Sequence, residues 1–145
     1  MREEFNQYLK IINVDSPLIY KRIEELIIMM KNLHSEEIYD ILIGEYINKE
    51  GERVISGLGI YSENFVVIFG NFLHDNEFSI YNHKKPLKSI NIISQNYDFL
   101  EANQDSKLAI NLFFRKEEGF SGIATGINCD YLKKIVYKYF INSLR

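Results

Sequence analysis

Among its 145 residues the chain has one cysteine, no tryptophan and two prolines. A lone Cys129 excludes an intramolecular disulfide and any cysteine-rich metal centre. No Asn stands in an Asn-x-Ser/Thr sequon, in keeping with a protein that is not secreted. Long apolar runs are missing as well: stretches such as Leu26-Ile27-Ile28-Met29-Met30 fall far short of the roughly 20 residues that cross a bilayer. The acidic start, Met1-Arg2-Glu3-Glu4, does not fit a signal peptide. Together these absences predict a cytoplasmic protein without a transmembrane segment. Positive charge is not in excess either. A net charge of −3 argues against nucleic acid, because phosphate binding needs clustered cations.

What is present describes a globular chain: 46% hydrophobic residues, ten Tyr and ten Phe, with 26% charged. A domain of this length buries on the order of 70% of the surface its unfolded chain exposes, so one domain over residues 1–145 is expected. The abundance of Ile, Asn, Lys, Tyr and Phe suggests coding DNA rich in A and T, as in a low-GC bacterium.

Phe5, Tyr8, Leu9 and Ile12 recur at helical spacing, predicting a short amphipathic helix over 3–13. Asn13-Val14-Asp15-Ser16-Pro17 breaks it, with Ser16 as a cap and Pro17 where a missing N–H costs nothing. Ile19, Ile23, Leu26, Ile27, Met30 and Leu33 then define a helix over 17–33, and Ile28 and Met29 widen its apolar face, which implies contact on two sides or with a partner.

Beyond Ser35 the period changes to two. Strands are predicted from Tyr39 to Ile47, Arg53 to Tyr61, Phe65 to Phe69, Glu77 to Tyr81 and Leu87 to Ile93, with turns at Asn48–Gly51, Ser62–Asn64, His74–Asn76 and Asn82–Pro86. The last of these strands has a mixed face. Another candidate strand covers 97–101, and further strands run from Lys107 to Arg115 and from Phe120 to Ile127 around a turn at Lys116–Gly119. Gly122 and Gly126 mark expected bulges or bends in the last strand. Asn128 or Asp130 is expected to cap a final helix carrying Leu132, Ile135, Val136, Tyr139, Phe140 and Leu144 on one stripe.

The fold class that follows is α+β: an N-terminal helical pair, about seven antiparallel strands, and a closing C-terminal amphipathic helix. This order, with Gly57-Leu58-Gly59-Ile60-Tyr61-Ser62-Glu63-Asn64-Phe65-Val66-Val67-Ile68 and Pro86-Leu87-Lys88-Ser89-Ile90-Asn91-Ile92, resembles bacterial members of the pleckstrin-homology-like superfold. The resemblance implies a bent sheet or partly open barrel over 36–145 plugged by the last helix, with 1–34 as a helical extension. It also implies a binding role. Lipid-binding relatives carry several cations around the first hairpin, whereas Asn48-Lys49-Glu50-Gly51-Glu52-Arg53 sets two cations beside two acids. That balance argues against phosphoinositide binding.

Residues able to do chemistry are scattered. His34, His74 and His83 lie in no metal-ligand spacing. Cys129 is the one plausible nucleophile, with the adjacent Asp130 opposing a thiolate, so an inert buried thiol is the favoured reading. The acid pairs Glu3-Glu4, Glu24-Glu25, Glu36-Glu37 and Glu117-Glu118 are adjacent and do not share a helical face. The glycine patterns at Gly57-x-Gly59 and Gly119-x-x-Gly122-x-x-x-Gly126 open no phosphate-binding helix. Neither a catalytic residue, a metal nor a cofactor is therefore expected. The candidate partner-binding residues are Lys84, Lys85 and Lys88 of the basic segment and Ile28 and Met29 of the long helix; Lys133, Lys134 and Lys138 form a second basic group.

The function expected is a non-enzymatic small binding module whose partner is another protein, met through a sheet edge or the helical pair, or a second copy of the chain. Two alternatives stand beside it: an immunity or inhibitor protein neutralising a toxin enzyme, and a small-ligand-binding or enzymatic α+β cone fold like that of nuclear-transport-factor-like proteins.

Overall fold

The computed structural model describes residues 2–34, 37–74, 77–83, 87–114 and 117–141. Two helices open the chain, α1 (Glu3–Ile11) and α2 (Pro17–His34). Asn13 turns between them at φ 61°, a left-handed conformation that Asn tolerates. Ser16 then accepts the Ile19 amide at 3.4 Å, which supplies the expected cap.

Seven strands follow: β1 (Asp40–Ile47), β2 (Arg53–Tyr61), β3 (Phe65–Phe69), β4 (Phe78–Asn82), β5 (Leu87–Gln95), β6 (Lys107–Phe114) and β7 (Glu117–Thr125). All pair antiparallel, in the α+β arrangement expected. The hydrogen bonding nevertheless divides into a four-stranded sheet, β1-β2-β3-β4, and a three-stranded sheet, β5-β6-β7, and no barrel closes. β1 and β7 run beside each other where the two sheets meet. The final helix, α3 (Asn128–Ile135), continues as a wider π-helical stretch over Val136–Ile141.

Register explains why both faces of the four-stranded sheet are buried. Ile41, Ile60 and Val67 form one cross-strand row and Ile43, Leu58 and Phe69 the next, so their side chains share a face. Leu42, Gly59 and Ile68, with Tyr61 and Val66 beside them, occupy the opposite face. Tyr61 stacks on Tyr139 of the last helix with ring centroids 4.8 Å apart, so that second face looks towards the closing helix. Alternation leaves the first face to α1 and α2, whose Phe5, Leu9, Ile23, Leu26 and Met30 belong to the same core. At about 25 cal/mol per Å², each of these fully buried side chains contributes roughly 2 kcal/mol of transfer free energy.

Several local expectations are corrected. Residues 97–101 form no strand: Asn96 and Phe99 have φ of 54° and 65°, and the Asp98 carboxylate accepts the Leu100 and Glu101 amides, folding the segment into a turn. Strand β7 begins at Glu117, inside the turn expected at 116–119. Neither Asn128 nor Asp130 caps the last helix; its N-cap is Ile127, without a side-chain hydrogen bond. Register shifts fall at Gly44/Glu45, Leu87/Ser89 and Leu112/Phe114 and not at Gly122, while Gly126 turns just beyond β7 at φ 59°. No helix among the described residues is long and apolar enough to cross a membrane.

Candidate partner-binding edge

Two antiparallel sheets have four edge strands, β1, β4, β5 and β7, and each presents a row of backbone groups that must find partners. β1 is sealed by side chains. The Tyr8 hydroxyl accepts the Ile43 amide at 2.9 Å and donates to Asn128 Oδ1 at 2.7 Å, and Asn128 Nδ2 donates to the Ile43 carbonyl at 2.7 Å. One residue's N–H and C=O are thereby satisfied by helices at opposite ends of the chain. Burial raises the Tyr8 hydroxyl far above its ordinary pKa, so it stays a donor.

Farther along the seam, the buried Glu45 carboxylate pairs with Arg53 and accepts from Thr125 Oγ1 at 3.1 Å. Arg53 donates onward to the carbonyls of Ile12 and Asn13, at 2.6 and 3.0 Å, where α1 ends. Asp40 at the start of β1 accepts from Lys138 Nζ at 2.7 Å and from the Tyr139 hydroxyl. These contacts join α1, β1, β7 and the last helix into one unit.

β5 is the opposite case. Eight of its nine residues, Lys88 to Gln95, are exposed, and among the described residues only β6 pairs with it. Ile92 is 50% exposed and Ile93 62%, and they point to opposite faces. Ile92 extends the row of Ile110 from the core side, and Ile93 extends the row of Ala109 and Ile123 on the outer side. A shallow cleft of about 220 Å³ on that outer face is bounded by Ile93, Ala109, Ile123, Tyr46 and Ile47. Natural edge strands are usually blunted by charge, proline or short length. β4 is five residues long, whereas β5 has nine and Lys88 as its single charge.

The candidate residues separate accordingly. Lys88 is exposed on β5, and Lys84 and Lys85 lie outside the described residues. Ile28 is exposed on α2 beside a groove of about 390 Å³ that also involves Phe5, Ile27 and Ile38. Met29 is half-buried and packs partly against the core. The second basic group is engaged: Lys133 donates to the Phe99 carbonyl at 2.6 Å, Lys134 lies over the Tyr131 ring and Lys138 meets Asp40.

Cys129 is fully buried and its thiol donates to the Ala124 carbonyl at 3.5 Å. Burial, with Asp130 and Glu45 nearby, pushes its pKa up to about 12, opposite to what a nucleophile requires. His83 is buried, donates through Nε2 to the Ser62 carbonyl at 3.0 Å and meets the Tyr139 ring edge-on. His74 is exposed in the turn after β3, and His34 ends α2. Among the described residues no three His, Cys, Asp or Glu side chains converge as metal ligands would.

Sequence reasoning placed Tyr8 on the apolar stripe of the first helix and Asn128 at a cap, and it did not single out Glu45. Asn128 resembles a cap by position, and nothing local indicates that its partners are Tyr8 and Ile43. The bare edge did leave a trace, the mixed face of the fifth strand. The chain matches no family model, no curated protein and no solved structure.

Proposed function

We propose that this chain is a non-enzymatic, cytoplasmic protein-binding module of pleckstrin-homology-like type, and that β5 receives an extended segment of a partner protein as an added strand. The observation carrying this reading is the exposed edge of β5, nine residues long with a single charge, which among the described residues pairs with β6 alone. Strand addition draws affinity from such free N–H and C=O groups and specificity from side chains alternating on the two faces. Ile90 and Ile92 on one face and Ile93 with Ile123 on the other provide apolar contacts on both sides of an incoming strand. The order of seven strands followed by a helix packed on them supports the superfold reading. The buried, protonated Cys129 and the engaged lysines favour binding over catalysis.

The test is affinity isolation from the native host with wild type and with the double variant Ile92→Lys, Ile93→Lys. A partner retained by wild type, lost by the variant and protecting the amides of residues 88–95 from hydrogen exchange supports strand addition. Equal retention by both proteins removes β5 from the interface and defeats the reading.

A further inference from the structure

A separate feature lies on α2. Glu24, Ile27, Ile28 and Lys31 stand at i, i+3, i+4 and i+7 along it, which places them in one stripe on a single helical face. Ile28 is 55% exposed, Ile27 packs only partly against the core, and Glu24 and Lys31 are exposed. Beside the stripe runs the groove of about 390 Å³, lined by the buried Phe5 and Ile38. An apolar centre between charged ends is the pattern of a helix face that meets another helix.

The order of the four residues says what the other helix is. Glu24 and Lys31 lie equally far from the midpoint between Ile27 and Ile28 and carry opposite charges. A two-fold axis through that midpoint, perpendicular to α2, lays a second α2 antiparallel on the first, so that Glu24 faces Lys31 of the second copy, Lys31 faces its Glu24, and Ile27 faces its Ile28. The Glu24 carboxylate has two oxygens and accepts from several donors at once, so a contact within its own chain leaves it able to meet this lysine. A parallel pairing would set like charges together. The other charged residues lining the groove, Arg2 and Glu37, are again one of each sign, so this surface has no net charge to attract an acidic or a basic partner.

We propose that α2 is a self-association surface, and that two copies of this chain form an isologous dimer through the stripe from Glu24 to Lys31, with Ile28 of each copy seated at the groove of the other. This surface is independent of β5, none of whose residues lines the groove. Two turns of helix and the rim of one groove lie at the small end of specific interfaces, roughly 1,200 Å² in total, so the association is read at protein concentrations of roughly 10 μM to 1 mM.

The test is sedimentation equilibrium of the full chain over that range. Wild type is expected to dimerise, and Ile28→Lys, which puts a charge into the apolar centre twice per dimer, to weaken the association at least about a hundredfold. Glu24→Lys and Lys31→Glu each turn both attractive pairs of the dimer into repulsive ones and should each weaken it about tenfold. Mixed in equal amounts, these two variants regain both attractive pairs in a mixed dimer and should associate within a few-fold of wild type. That rescue separates a lost interface from a lost fold, since a misfolded variant would not recover on mixing. A wild type that stays monomeric throughout overturns the proposal, as does dimerisation unaffected by Ile28→Lys. So does a mixture that associates no more tightly than the separate variants.

Discussion

β1 and β5 are both edge strands, and they solve the same problem in opposite ways. β1 has Tyr8 and Asn128 satisfying the two backbone groups of Ile43, with Glu45, Arg53 and Thr125 continuing the seal. β5 is covered by nothing among the described residues. The difference shows that a strand edge is closed by polar side chains from elsewhere in the chain and not by its own apolar content, which is high in both. A closed edge secures the fold, and an open one is available to a partner.

The largest effect expected from this contrast concerns Cys129, packed behind the sealed seam. Its pKa rises from the usual thiol value of 9.0 to about 12, so alkylation of the native protein at pH 8 should be at least about a hundredfold slower than in urea-unfolded chain. A native rate within a few-fold of the unfolded rate would show that the seam opens readily. The linkage has a definite sign: the folded state favours the neutral thiol, so its stabilising contribution is present below pH 9 and is lost as pH rises from 9 towards 12.

Next in size is Arg53→Ala, which leaves the Glu45 carboxylate buried with Thr125 as its remaining partner and strips two carbonyl contacts from the end of α1. A loss of about 3 kcal/mol is expected in urea unfolding. Asn128→Ala removes two buried hydrogen bonds and leaves the Ile43 carbonyl unpaired, for a loss of about 2 kcal/mol in the same measurement. The smallest effect belongs to β5: Ile92→Lys should change stability by less than about 0.5 kcal/mol, because the side chain is half exposed and the strand ladder is untouched. A cost above about 2 kcal/mol for Ile92→Lys would mean that this edge is buried in the free protein, and the contrast with β1 would fail.

Much of the architecture was legible because it is written in local period. Ile19, Ile23, Leu26 and Met30 recur at helical spacing and indeed line one buried face of α2. Leu108, Ile110, Leu112 and Phe114 alternate with exposed or half-exposed neighbours along β6. Residues 97–101 misled because Tyr97 and Phe99 favour strands by composition, while the Asp98 side chain, bonded to the amides of Leu100 and Glu101, favours a turn and prevails. The mixed pattern of β5 was visible, and its cause is plain in the structure: a strand exposed on both faces has no core to impose alternation.

The candidate sites were far less legible. The two basic groups were equivalent in sequence, yet Lys133, Lys134 and Lys138 meet a carbonyl, a ring and a carboxylate that lie 34, 3 and 98 residues away.

Side-chain periodicity by itself determined the kind and order of the elements, since a helix or strand discloses its buried face through neighbours two to four residues apart. Only tertiary structure decided which edge is sealed and which lysines are engaged. The reason is that a buried polar atom must find its partner in three dimensions, and Tyr8 finds Asn128 across 120 residues of chain that carry no local mark of the pairing.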